Sequence, residues 1–201
     1  MTEAERTDRD NRTMRERMLA GDLYIADDPE LAEAASSAMD LMDAYNATSA
    51  RQGLLRQRLL EALLGSVGDS TEIRPPFYVD YGSHISIGAG CFANFGLVAL
   101  DAAPITIGDD VQIGPNVHLL TPTHPVEPEP RRAKWEAAKP IRIGDNVWLG
   151  GGVIVLAGGT IGDNTVVGAG AVVTRDLPAN VVAVGNPARV VRTIDGDTPA
   201  P

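Results

Sequence analysis

Apolar residues recur every six positions through the C-terminal half of the chain, most regularly from Ile141 to Thr174. Two interleaved rows run through that stretch. One is Ile143, Leu149, Val155, Ile161, Val167 and Val173; the other is Ile141, Val147, Val153, Gly159, Thr165 and Ala171. A period of six fits neither an α-helix nor an ordinary strand, but it is the spacing of hexapeptide repeats wound into a parallel β-helix. Each unit reads as a short strand and a tight turn, with alternate strand residues pointing inward. Glycine follows the first row at Gly144, Gly150, Gly162 and Gly168, where the chain is expected to bend and a missing Cβ costs least.

The same period opens at Ile73 and runs through Val79, Ile85, Cys91 and Leu97. Ile105, Val111 and Val117 resume it after a small offset near Asp101, with Ile107, Ile113 and Leu119 as the companion row. A longer interruption spans 122–140. It is rich in proline and charge and cannot form a coil of the solenoid, and an insertion of that length in a compact repeat is usually functional or disordered.

Before Ile73 the period is helical. Met14 and Met18 lie one turn apart on a segment that stops at Gly21, a natural residue just past a helix end. Asp28-Pro29 reads as an N-cap followed by proline in the first turn, and Leu31, Ala35, Ala38, Met39, Met42 and Tyr45 follow helical spacing from there. Thr48 is expected to cap a third helix carrying Leu55, Leu59 and Leu63. The organisation is therefore a helical segment over 1–65 and a β-helix with a terminal tail strand over 66–194, inserted loop included. A disordered tail is expected over 195–201.

Composition narrows the function. With a formal net charge of −10 the chain lacks the basic surface that non-specific nucleic-acid binding needs. The charged N-terminus resembles no leader and no apolar run approaches membrane length, so a cytoplasmic protein with neither nucleic-acid nor membrane partners is expected. The single cysteine, Cys91, falls on an inward row and reads as a buried small hydrophobe. Three histidines are present. His84 reads as a solvated turn residue and His118 as a surface residue between inward Val117 and Leu119. His124 stands at the mouth of the long loop between Thr123 and Pro125, where a rigid backbone suits a general base. Trp148 points outward by phase, although packing is the safer expectation for an indole.

The runs YVDYGSHISIGAGCFANFG, ITIGDDVQIGPNVHLLTPTHPV, IRIGDNVWLGGG and VGNPARVVR, with Leu100-Asp101 between the first two, together resemble the maltose, galactoside and nodulation O-acetyltransferases over residues 14–192. The THPV before an insertion, then PIRIGDNVWLGGG, is the specific part of the likeness. The resemblance implies a left-handed parallel β-helix assembled as a homotrimer, with active sites between subunits. It also implies direct acetyl transfer from acetyl-CoA to an acceptor hydroxyl in a ternary complex, with no metal. His124 matches the catalytic histidine. Asn94 matches an acceptor-site position, and Asp101 falls at or beside an acidic position lining that site. Gly151, Ala169, Thr174 and Arg175 match positions along the pantetheine of CoA, and Arg189 and Arg192 match basic residues meeting its phosphates.

The N-terminal region departs from the family. Ala34, Ala35, Ser36 and Ser37 stand where arginines are common, and Asp27 or Asp28 would supply the acidic acceptor contact. Two further readings stay open on the residues. A γ-class carbonic anhydrase would use three histidines on zinc, although His118 and His124 at a spacing of six should not converge. A β-helix scaffold without catalysis would keep the fold alone.

Overall fold

The computed structural model describes residues 11–194; the expected tail over 195–201 lies outside them. Helix α1 (Met14–Ala20) starts at Thr13, whose hydroxyl accepts from Glu16 N while Glu16 answers with a bond to Thr13 N, and it ends at left-handed Gly21. Helix α2 (Pro29–Asn46) is capped by Asp28, which accepts from Glu30 N and Leu31 N, with Pro29 in the first turn. Helix α3 (Gly53–Leu63) differs from expectation: Gln52 is its N-cap with no side-chain cap bond, and the Thr48 hydroxyl donates back to Tyr45 O instead.

Helices α2 and α3 close the open end of a solenoid. Tyr45 packs edge-on against Phe77 with ring centres 6.5 Å apart, and its hydroxyl donates to Ile73 O. The Asn46 amide donates to Phe77 O at 2.9 Å and accepts from Phe77 N at 2.8 Å, imitating a neighbouring strand at the exposed edge. An uncovered sheet edge would leave those backbone groups unpaired, so one amide replaces a missing coil.

The solenoid is a parallel β-helix with three faces. Its inward columns follow the strand registers. Ile73, Ala93, Ile113, Leu149, Val167 and Ala183 stack on one face. Val79, Ala99, Leu119, Val155 and Val173 stack on the second, and Ile87, Ile107, Ile143 and Ile161 on the third. All of these are buried in one core. The faces differ outside. One presents Ser66, Ser86, Thr106, Arg142 and Thr160 and is polar. The next presents Glu72, Phe92, Gln112, Trp148 and Val166 and is mixed. The third presents Tyr78, Val98, His118 and Ile154, with Val172 beyond, and is apolar. His118 is thus half-buried between Val98 and Ile154, while Trp148 stands 57% exposed rather than packed.

Two details of the repeat differ from the reading of the chain. The row read through Ile73, Val79 and Ile85 changes its place in the repeat: the residue that stands on the next face where Val79 does is Ile87, eight positions on, because the chain carries two extra residues between those strands. A slip of two preserves the alternation of sides, so every sixth residue still points inward and the row looks continuous. The glycines after the inward row answer a different need from bending. A Cβ at Gly108 would run into Asp145 of the next coil, and one at Gly144 into Asp163, whereas the left-handed corner positions are taken by Asp110, Asn146 and Asn164. Close stacking of coils requires the glycine.

At the far end Leu177 is buried and bridges to Ile161, continuing the core. The tail is two strands, Val181–Val184 and Arg189–Thr193, paired antiparallel. Among the described residues no helix is long and apolar enough to cross a membrane.

Candidate active site

All the irregular insertions stack at one corner of the solenoid, between the apolar and polar faces. The corner takes residues 80–84 in the first coil, 101–104 in the second and 121–140 in the third. The longest is ordered. Pro122–Thr123 and Trp135–Ala138 form an antiparallel hairpin, with helix α4 (Pro128–Arg132) between them and Tyr24–Ile25 added as a third strand. Met18, Tyr24, Leu31, Ala102, Ala103 and Ala138 make a small second core beneath it. The N-terminal segment therefore clamps the loop onto the solenoid.

His124 follows the hairpin strand directly and is exposed. It lies on the rim of a recess of about 680 Å³ whose walls include Leu23, Pro125, Glu127, Trp135 and Ala137. The chain entering the histidine is fixed by the Thr123–Ala137 register and by the Thr123 hydroxyl, which donates to Ala137 O at 3.2 Å. A neutral imidazole so placed can take a proton from a hydroxyl lying in the recess.

Behind the hairpin lies a group of acids and phenols that the spacing of the chain did not reveal. Tyr24 donates to Glu136 at 3.2 Å, and burial, then that carboxylate, raises the Tyr24 hydroxyl far above its usual range. Tyr81 is pushed up to about 12 by burial and then by Asp80, Asp101 and Glu136. Asp101 is fully buried and turned inward. Its carboxylate accepts from Asp80 N at 3.1 Å, Tyr81 N at 2.8 Å and His84 N at 3.1 Å. The placement of Asp101 at the acceptor is thereby corrected: it braces the backbone of the preceding corner, and its oxygens are already occupied. His84 differs too from the solvated residue expected, since its side chain is only 12% exposed and its Nδ1 lies 2.7 Å from Asp101 O. The offset near Asp101 was the signal in the sequence, because the period fails there, whereas the slip at 80–84 left the row continuous.

Asp80 is the acid left strained at this corner. Burial, with repulsion from Asp101 and Glu136, pushes it from 3.8 up to about 6. Between those values the folded chain binds a proton that the unfolded chain has released, so stability falls as pH rises through that window. Asp80→Asn is expected to stabilise the fold by roughly 2–3 kcal/mol at neutral pH and by nothing near pH 3. Thermal unfolding at both pH values measures the difference, and equal shifts at both would contradict the assignment.

The remaining sequence-derived residues divide between corners. Asn94, Gly151 and Ala169 lie at the corner between the mixed and apolar faces; Gly170 N donates to Gly151 O at 2.9 Å, and Phe95 N donates to the Asn94 side chain at 2.8 Å. Thr174 and Arg175 are exposed at the insertion corner, the one that carries His124. One chain leaves Asn94 and His124 at different corners, on either side of the apolar face. Arg189 and Arg192 are exposed on the outer strand of the terminal hairpin, and Asp27 is exposed just before the cap of α2.

A three-faced β-helix of six-residue units, with a histidine on a loop inserted at one corner, defines the class of hexapeptide-repeat transferases. The model for the maltose acetyltransferase hexapeptide capping motif matches residues 17–68, and that for the bacterial transferase hexapeptide (six repeats) matches residues 140–175. Nodulation protein L of Rhizobium meliloti is 49% identical over 179 residues, covering 89% of this chain and 98% of its own. The crystal structure of a maltose O-acetyltransferase from Clostridium difficile superposes with a TM-score of 0.91 at 42% identity, covering 92% of this chain and 100% of that one. A galactoside acetyltransferase in complex with coenzyme A gives 0.89 at 42% identity, covering 92% of each chain. The chain belongs to the maltose, galactoside and nodulation type of hexapeptide-repeat O-acetyltransferases and is an acyltransferase.

Proposed function

We propose that the protein moves an acetyl group from acetyl-CoA to a hydroxyl of a small acceptor, a sugar, by direct attack within a ternary complex. The observation that carries the reading is His124 fixed on the rim of the recess by a hairpin that the N-terminal segment clamps in place. A sugar hydroxyl is too weak an acid to ionise at neutral pH, so the neutral imidazole takes its proton as the oxygen attacks the thioester carbonyl. The carbon–sulfur bond then breaks, and the proton passes from the imidazolium to the departing CoA sulfur. No acyl-enzyme forms on this route, and no metal takes part. Solved relatives in complex with coenzyme A or acetyl-CoA support the donor.

Gly151, Ala169, Thr174 and Arg175 contact the pantetheine arm in this reading, and Arg189 and Arg192 meet the phosphates, where guanidinium forks suit anionic oxygens. Asn94 and Asp27 hold the acceptor. The separation of Asn94 from His124 across the apolar face supports a homotrimer in which neighbouring chains complete each site. The exposed Trp148 and the apolar row of Tyr78, Val98, His118 and Ile154 supply surface for such contacts. We place the protein in the cytoplasm, where its donor is made.

Thiol release from acetyl-CoA, measured against a panel of neutral sugars and amino sugars, tests the reading. Release should require the acceptor, with one acetyl ester formed per thiol. Accumulation of acetylated protein without acceptor would sink the ternary route. Sedimentation equilibrium should give three chains, and a fully active monomer would overturn the shared site.

A further inference from the structure

We infer that Arg131 is a positioning residue for His124, holding the two backbone carbonyls that follow the histidine and so fixing where its ring sits. The chain enters His124 from a hairpin strand, secured by sheet pairing. It leaves through Pro125, which has no N–H to offer, and Val126, which is 85% exposed. The exit is held from helix α4 instead: Arg131 Nη1 donates to Pro125 O at 3.0 Å and to Val126 O at 2.7 Å. Both bonds come from that one nitrogen, whose two N–H groups are held in the guanidinium plane and diverge toward the two carbonyls, and the charge does not titrate. The adjacent Arg132 is engaged elsewhere, 2.5 Å from Glu129, and does not duplicate the contact.

Arg131 is not among the residues lining the recess, whereas Glu129 and Pro130 on the same helix are. Its effect on turnover therefore passes through the loop and His124. A displacement of about 1 Å at a catalytic group can cost on the order of 100-fold in rate, so two bonds at the histidine's exit are enough to matter.

The inference rests on His124 being the general base, and a double-mutant cycle tests the two separately. Arg131→Ala should lower kcat about 10–100-fold while leaving the KM for acetyl-CoA within about twofold. Arg131→Lys should fall between, because its ammonium can donate to both carbonyls but sits on a shorter, flexible stem without the fixed plane of the guanidinium. In a His124→Ala background the second change should cost almost nothing further, since the group it positions is gone. A similar melting temperature for Arg131→Ala and the parent excludes global unfolding as the cause. Near-normal kcat in Arg131→Ala would overturn the inference, as would an undiminished penalty in the His124→Ala background. An acetyl-CoA KM that rises as kcat falls would make Arg131 a cofactor contact and overturn it too. Normal turnover by His124→Ala alone would sink the general-base reading itself, whereas an inactive His124→Ala with an additive Arg131→Ala would sink only the positioning role.

Discussion

His124→Ala is expected to reduce acetyl transfer by ~100–10,000-fold while leaving CoA binding nearly unchanged. That range is the contribution of a positioned base to proton removal from a reacting group. Binding should survive because the residues assigned to CoA lie along two corners of the solenoid and on the terminal hairpin, and none of them is bonded to His124. Removing an exposed imidazole also leaves no cavity, so the fold should be indifferent to the change. Steady-state turnover with the true acceptor, paired with calorimetric titration of CoA, separates the effects. If turnover persisted, the hydroxyl proton would have to leave by another route. If CoA affinity fell in step with turnover, His124 would be a binding residue.

Asp101→Ala is expected to lower stability by about 3–5 kcal/mol. The carboxylate is fully buried and accepts three backbone N–H groups of the preceding coil's corner. Truncation strands those donors away from water, and hydrogen bonds to charged groups contribute about 1.5–3 kcal/mol each before relaxation. The corner carries Asp80 and Tyr81, which face Glu136 of the hairpin, so the loss should reach His124 as well. Asp101→Asn should cost less, because it can still accept but must present an NH2 group to one of the three donors. Denaturant unfolding of both variants checks the order, and an Asp101→Ala protein within about 0.5 kcal/mol of the parent would remove the brace from the argument.

The solenoid was legible because its period is imposed residue by residue. Ile143, Leu149, Val155 and Ile161 must each enter the same narrow core, and no tertiary partner has to be known to see the spacing. The helix starts were legible for the same local reason, as at Asp28-Pro29, where side chain and backbone satisfy each other within three residues. Thr48 shows the limit of local reading. Its hydroxyl donates to Tyr45 O and accepts from Arg56 Nε, and the helix begins only at Gly53. The slip between Val79 and Ile85 escaped notice because parity, not column, is what hydrophobicity records.

The candidate site divides along the same line. His124 could be picked out from its place at the edge of an insertion, but its neighbours could not. Tyr24 and Glu136 are 112 residues apart in the chain and meet only because the first strand adds to the hairpin. Asp101 carries the same carboxylate whether it lines a pocket or braces a turn, and only the burial of its oxygens distinguishes these roles.

By itself the sequence determined the repeat, the capping helices and the histidine where the repeat fails, since each depends on spacings of a few residues. Only the tertiary structure decided that all three insertions share one corner and that Asp101 faces inward. It alone separated Asn94 from His124 by the width of a face. Those are matters of which coil lies above which, and a period of six repeats identically on all three sides of the solenoid.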